Sequence, residues 1–308
     1  MKGTVTKSTG SWYQVTDENG KHWNARTRGK LRLADTDTSN PVAVGDEVTL
    51  KEDINYSETA TITDIAPRKN YIIRKSNKLS SKRQILAANL DAAVLVASLV
   101  SPRTSLGFID RFILCGEAFH IPTWVFFNKM DLLSPNQQTQ ITEEIQRIYQ
   151  NANVHLYFGS VAQNQGLEPL RELLTGKRIL LAGHSGVGKS TLLNNLFPQA
   201  NARVGSISQT HEKGKHTTTF AEMFRLPNNT EIIDTPGIRD FGVVDMKQDE
   251  IAQYFKEFRS IQNQCKFNNC THIHEPGCAI LAAVESEEIH PARYHSYLSI
   301  YHNEDIFE

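Results

Sequence analysis

The segment Gly183-His184-Ser185-Gly186-Val187-Gly188-Lys189-Ser190 constrains this chain more than any other. It stands between an apolar run, Arg178-Ile179-Leu180-Leu181-Ala182, and a helix-like stretch from Ser190 to Leu196. A strand that feeds a glycine-rich turn and opens a helix lets backbone N–H groups close around phosphate oxygens. The glycines remove side-chain clash, and the helix N-terminus adds partial positive charge. Lys189 is placed to reach the β- and γ-phosphates and Ser190 to ligate Mg²⁺, with Thr191 next on the helix. Such a turn belongs to an α/β sheet, and the pattern from residue 91 onward agrees. Strand-like runs (Ala92 to Ala97, Thr123 to Phe127, Val154 to Phe158, Phe220 to Leu226, Glu231 to Ile233) alternate with helix-like ones (Phe108 to Phe119, Gln140 to Tyr149, Leu167 to Leu174). Alternation of this kind predicts a mostly parallel sheet with helices on both faces.

Two more motifs fall at strand ends. Asp234-Thr235-Pro236-Gly237 follows Ile232-Ile233. There a carboxylate can hold Mg²⁺ through water while the Gly237 N–H meets a γ-phosphate, although a plain turn would also suit the tetrapeptide. Asn128-Lys129-Met130-Asp131 ends the strand Trp124 to Phe127. Asp131 can accept two hydrogen bonds from guanine N1–H and its exocyclic amine, a donor pair adenine lacks. Asn128 would meet the outer edge of the base, and the Lys129 stem would cover a ring face. An Asn/Asp helix start is the plainer alternative. Ser160, ending the next strand, is where a backbone N–H would meet the guanine oxygen. Lys213 to Thr219 lies between the phosphate loop and Asp234, and one of Thr217, Thr218 and Thr219 would complete the Mg²⁺ shell. The base reader therefore precedes the phosphate loop by more than fifty residues. These are the parts of a guanine-nucleotide switch in permuted order.

Residues 1 to 67 read differently. Short alternating stretches (Gly3 to Thr6, Trp12 to Val15, His22 to Arg26, Glu47 to Leu50, Thr59 to Thr63) are separated by turn residues such as Asn19-Gly20 and Gly45-Asp46. Five short strands predict a small closed barrel of the OB type, a fold that often binds oligonucleotides. Residues 68 to 83 carry seven basic residues and no acidic one, which reads as a linker with a chance to touch phosphate. The formal net charge of the whole chain is -1, so any basic surface is local. No apolar run approaches the roughly 18 residues of a membrane helix, and the N-terminus lacks a signal-peptide core, so no membrane partner and a cytoplasmic location are expected.

Three of four cysteines fall within fourteen residues. In a cytosolic chain such clustering suggests metal before disulfide. Cys265, Cys270, His272 and Cys278 form a common structural Zn²⁺ set, with His274 as rival for the imidazole. Cys115, on an apolar helix pattern, reads as packing.

Together these motifs resemble the ribosome small-subunit-dependent GTPase A family, over nearly the whole chain. The resemblance implies an OB-like barrel at 1–67, a basic linker at 68–90, a circularly permuted GTPase domain at 91–245 and a mostly helical zinc domain at 246–308. It also implies GTP hydrolysis stimulated by the small (30S) ribosomal subunit, a role in its late maturation, and contact with 16S rRNA. The partners are then GTP and GDP, the subunit and its RNA, with a monomer as the default state. Two positions depart from the family pattern: His184 in the phosphate loop and Val161 after Ser160. The place just after Asp-x-x-Gly, where many switch GTPases keep a water-orienting glutamine, is Ile238, which predicts slow intrinsic turnover. His216 is the first candidate for the missing group and His211 the second. A passive rRNA-binding factor with a structural guanine nucleotide is the alternative.

Overall fold

A computed structural model describes residues 1–27, 41–54, 56–75, 83–197, 221–234 and 246–303, without the side chains of 74, 75, 83 and 84. Five strands open the chain: β1 (Lys2–Ser8), β2 (Tyr13–Asp17), β3 (His22–Thr27), β4 (Glu47–Glu52) and β5 (Thr59–Ile65). Their period-2 alternation puts Val5, Val15, Trp23, Leu50 and Ile62 in one core. Strand order β1-β2-β3-β5-β4 closes through β4 against β1, which gives the expected small barrel. The β2–β3 turn is tied by Asp17, whose carboxylate accepts from the N–H groups of Asn19 and Lys21 and from Trp23 Nε1, each at 2.9 Å.

The stretch read as a basic linker includes a two-stranded ribbon, β6 (Tyr71–Lys75) with β7 (Arg83–Ala88). Two of its basic side chains serve the protein itself. Arg68 grips the buried Asp46 carboxylate at 2.7 and 2.8 Å, and Lys69 pairs with Asp91 at 3.1 Å. Periodicity missed the ribbon because its strands are short and separated by polar residues.

The central sheet contains β8 (Ala92–Ser98), β9 (Thr123–Asn128), β10 (His155–Phe158), β11 (Arg178–Ala182), β12 (Glu222–Leu226) and β13 (Thr230–Asp234). Its order is β10-β9-β8-β11-β13-β12, parallel except for β12. Helices α1 (Leu106–Ala118), α2 (Pro135–Tyr149), α3 (Glu168–Leu174) and α4 (Lys189–Leu196) cover it. Strand β8 is buried along its whole length, as a central parallel strand must be. Ala93, Leu95 and Ala97 pack in one layer with Phe108, Phe112 and Ile148, while Ala92, Val94 and Val96 pack in the other with Leu170, Leu192 and Leu193.

The barrel joins this sheet edge to edge. Lys7 of β1 lies opposite Glu222 of β12 and salt-bridges to it at 3.0 Å. Arg178, at the start of β11, donates to Glu231 Oε2 (2.7 Å), Gly45 O (2.9 Å) and Glu47 Oε1 (3.1 Å), spanning both units.

The C-terminal part is mostly helical: α5 (Ile251–Tyr254), α6 (Lys256–Arg259), α7 (Ala279–Glu285) and α8 (Pro291–Tyr301). Its core of Phe255, Phe258, Ile280, Tyr297 and Ile300 takes in Leu114 of α1. A buried ion triad crosses the same boundary. Arg293 of α8 bonds Asp110 of α1 through Nη1 and Glu257 of α6 through Nε, the latter at 2.6 Å. Its guanidinium also lies over the Tyr149 and Phe255 rings, 5.3 and 4.7 Å from their centroids. All three charged residues are at most 6% exposed.

Candidate nucleotide site and metal centre

Strand order decides the site. β8 lies between β9 and β11, so the carboxyl ends of the strands bearing Asn128 and Gly183 sit on one sheet edge, two strands apart. Ligands of open α/β sheets bind at that edge. The permuted order in sequence is undone in space.

The phosphate loop needs its glycines. Gly183, Gly186 and Gly188 hold φ of +142°, +80° and +103°. A Cβ on Gly183 would stand 2.3 Å from Val96 O, and one on Gly188 would stand 2.4 Å from Asn128 Nδ2. Lys189 Nζ donates to the carbonyls of Gly183 and His184. Burial pulls its ammonium below the ordinary value, against the opposing charge of Asp234. Asp234 ends β13 level with Leu181 of β11, which brings its carboxylate to the same edge as Ser190. Hydroxyl and carboxylate oxygens suit Mg²⁺. Val187 is buried beneath the loop, Ser185 is exposed, and the His184 ring packs on Phe108 at 4.3 Å between centroids. Thr191 is exposed on the first turn of α4.

Asn128 joins the two motifs. Its Nδ2 donates to Val187 O at 2.7 Å and its Oδ1 accepts from Val161 N–H at 2.9 Å, so one buried side chain ties base reader, phosphate loop and the loop after β10 together. Lys129 then turns the chain with φ +68°, an unusual conformation for lysine, and its Nζ donates to Ser101 O at 2.6 Å. The turn at Met130–Leu132 is held by Met130 N–H on Gly159 O (3.1 Å) and by Gln138 Nε2 on Met130 O (2.9 Å). Within it, Asp131 Oδ1 is buried with no hydrogen-bond partner among the described residues. A carboxylate oxygen withdrawn from water in this way needs a donor.

Ser160 lies beside this turn, yet the N–H expected to meet a base oxygen is engaged with Gln165 O at 3.0 Å. Its hydroxyl accepts from Gln163 N–H at 3.1 Å. Val161 N–H is on Asn128, so the next N–H along, at exposed Ala162, is the donor this loop has left to offer. The reason is local: Ser160 and Gln165 bridge reciprocally and close the loop. Sequence reading also missed the loop 99–105, whose Ser101 and Pro102 abut Lys129 and Gly186. No motif marks it. His211, His216, Thr217, Thr218, Thr219, Gly237 and Ile238 lie outside the described residues.

The second centre lies in the C-terminal part. Cys265, Cys270, His272 and Cys278 bring their ligand atoms within 4.8 Å of one another; His274 is not in the group. Tetrahedral bonds of about 2.3 Å to sulfur and 2.0 Å to nitrogen set S···S near 3.8 Å and S···N near 3.5 Å. The observed spacings are 4.0 Å for Cys265–Cys278, 3.6 Å for Cys265–His272 and 3.5 Å for Cys278–His272. The donor set fits a tetrahedral thiophilic cation. Supporting bonds fix the knuckle: Glu275 accepts from Thr271 and Ile273 N–H groups, and Tyr294 and Tyr297 hydroxyls donate to the carbonyls of His272 and Thr271.

Comparison with known proteins agrees with this geometry. The family model described as RsgA GTPase matches residues 65–244, and that of the RsgA N-terminal domain matches residues 2–61. A small ribosomal subunit biogenesis GTPase RsgA from Bacteroides fragilis is 46% identical over 300 residues, covering 97% of this chain and 96% of its own. One of the same name from Flavobacterium johnsoniae is 46% identical over 302 residues, covering 97% and 92%. Among solved structures, YjeQ from Thermotoga maritima superposes with TM-score 0.76 at 30% identity over 98% of this chain and 97% of its own. YloQ, a circularly permuted GTPase, does so with TM-score 0.72 at 28% identity over 98% and 94%. With a base reader and a phosphate loop tied through one asparagine, a barrel before them and a cysteine-histidine knuckle after, this chain is a GTPase and belongs to the RsgA GTPase family.

Proposed function

We propose that this protein hydrolyses GTP when engaged with the small ribosomal subunit, as an RNA-directed checkpoint late in that subunit's maturation. The observation that carries the nucleotide part is Asp131 Oδ1, buried with no partner among the described residues, beside a phosphate loop that Asn128 holds in register. Asp131 accepts from guanine N1–H and the exocyclic amine, the Lys129 stem covers the ring, and Ala162 N–H meets the base oxygen. Gly183 to Thr191 cradle the phosphates, with Lys189 on the β- and γ-oxygens. Ser190 and Asp234 are the described residues that would hold Mg²⁺, which when bound neutralises charge on those oxygens. Cys265, Cys270, His272 and Cys278 would hold one Zn²⁺; with all four positions taken by protein, its part is structural. The names of the relatives support the subunit as partner, and the barrel supports an RNA grip. The described residues contain no helix long and apolar enough to cross a membrane, in keeping with action in the cytoplasm.

Phosphate release with and without small subunits tests the reading, with ATP competition as the check on base choice. Release should rise with subunits, and ATP should fail to displace GTP. Equal release in both arms would overturn the stimulated mechanism.

A further inference from the structure

The loop after β10 is stapled to the base reader at two points. Met130 N–H donates to Gly159 O at 3.1 Å, and Val161 N–H donates to Asn128 Oδ1 at 2.9 Å. A third staple comes from the phosphate side. Asn195 Nδ2, on α4, donates to Val161 O at 2.7 Å.

Val161 C=O and Ala162 N–H belong to one planar trans peptide unit. A donor that fixes the oxygen therefore fixes the direction of the hydrogen on the opposite side. Val161 O also takes Asn164 N–H at 3.3 Å, within the turn itself. That bond lies past the usual N–H···O range, so the Asn195 amide is the stronger hold. Val161 is only 3% exposed, so water is a poor substitute for it. Ala162 is exposed, and its N–H has no hydrogen-bond partner among the described residues.

Asn195 is itself held. It lies in the last turn of α4, where Arg171 donates from Nη2 to Asn195 O and from Nε to Leu196 O, each at 3.2 Å. Arg171 stands on α3, the helix that the base loop runs into, and pairs with Glu168 at 2.8 Å. Lys189 opens the same α4. One helix of 8 residues thus bears the phosphate-gripping lysine at one end and the brace of the base loop at the other.

We propose that Asn195 is a positioning residue for base choice, aiming the Ala162 N–H at the oxygen of guanine. The inference rests on the assignment of that N–H as donor to the base oxygen. Asp131 reads the N1–H and amine side of the ring; Asn195 acts on the oxygen side without touching the nucleotide. Without its amide the peptide tips, and one neutral hydrogen bond to the base is lost.

The test is calorimetric affinity of the full-length protein for GDP, 6-thio-GDP and IDP, in wild type, Asn195→Ala and Asn195→Asp. In 6-thio-GDP a sulfur, a weak acceptor, replaces the base oxygen. IDP keeps the oxygen and lacks the exocyclic amine. Wild type should hold GDP roughly fivefold tighter than 6-thio-GDP, the worth of one neutral hydrogen bond. Both variants should lose that preference through weaker GDP binding, with 6-thio-GDP affinity unchanged. The penalty for IDP relative to GDP in wild type is set at Asp131, so removing the Asn195 amide should leave it as it was. A preference for GDP over 6-thio-GDP kept in both variants overturns the proposal. So does an equal loss for all three nucleotides, which would make Asn195 a brace of the fold alone. Wild type holding GDP and 6-thio-GDP alike would remove the base-oxygen contact itself, and this proposal with it, so the wild-type arm tells the two failures apart.

Discussion

Consider Arg293→Met. The native guanidinium faces two carboxylates, on Asp110 and Glu257, in a boundary where all three are at most 6% exposed. Asp110 Oδ2 and Glu257 Oε2 are already buried, the latter without a hydrogen-bond partner among the described residues. Removing the cation leaves those carboxylates uncompensated, and breaking a buried pair in this way costs about 3–5 kcal/mol. At about 1.4 kcal/mol per power of ten, docking of the C-terminal part on α1 should weaken by roughly two to three and a half powers of ten. Native-state hydrogen exchange reads this directly, as loss of protection at amides of α8 and α1 at neutral pH. Burial already holds the Asp110 carboxyl above its ordinary value, against the pull of Arg293. Asp110→Asn, which keeps an acceptor for Arg293, should therefore cost much less. The joint change Asp110→Leu, Glu257→Leu, Arg293→Met should recover most of the loss, because an apolar replacement leaves no orphaned charge. A cost below about 1 kcal/mol for Arg293→Met, the worth of an exposed pair, would refute the claim that this boundary is dry.

Gly188→Ala should abolish GTP binding in calorimetry while leaving the barrel folded, because the new Cβ would stand 2.4 Å from Asn128 Nδ2 at φ +103°; retained affinity would contradict the coupling through Asn128. Removing Zn²⁺ with a chelator, or making Cys278→Ser, should unfold residues around 265–278, seen as lost near-ultraviolet signal from Tyr294 and Tyr297, whose hydroxyls bind that knuckle; an unchanged spectrum would count against a structural metal. The Asp17 carboxyl is held below its ordinary value by the Trp23 hydrogen bond and then by the N–H groups of Lys21 and Asn19. Its contribution is therefore present above the ordinary value of 3.8 and is lost as pH falls through the lower folded value. The melting-temperature gap between wild type and Asp17→Asn should be open at pH 7 and narrow steadily as pH falls below 3.8. Burial pushes the Cys115 thiol up to about 12, so at pH 8 it should resist alkylation until the protein unfolds.

Much of this architecture was legible because its signals are local. A run such as Ala92 to Ala97 has one way to be buried on both faces, and a glycine-rich turn between strand and helix has few folds to live in. Cys265, Cys270, His272 and Cys278 advertise their chemistry by type and spacing. What stayed hidden depends on contacts distant in sequence. The ribbon of β6 and β7 forms a small sheet of its own, bridged to Val44 through Ala87, so no sheet pattern announced it. Asp110 and Arg293 are separated by 183 positions, and each reads by itself as an ordinary polar helix residue.

The junction of β1 with β12 has a consequence for synthesis. Lys7 meets a partner 215 positions downstream, and Gly45 and Glu47 wait for Arg178. As the nascent chain leaves the tunnel, the barrel must mature as an isolated module and be captured afterwards. The base-reading strands β8 to β10 likewise emerge ahead of β11, so the pocket is assembled from its selectivity end first, and competence to grip phosphate is the later acquisition.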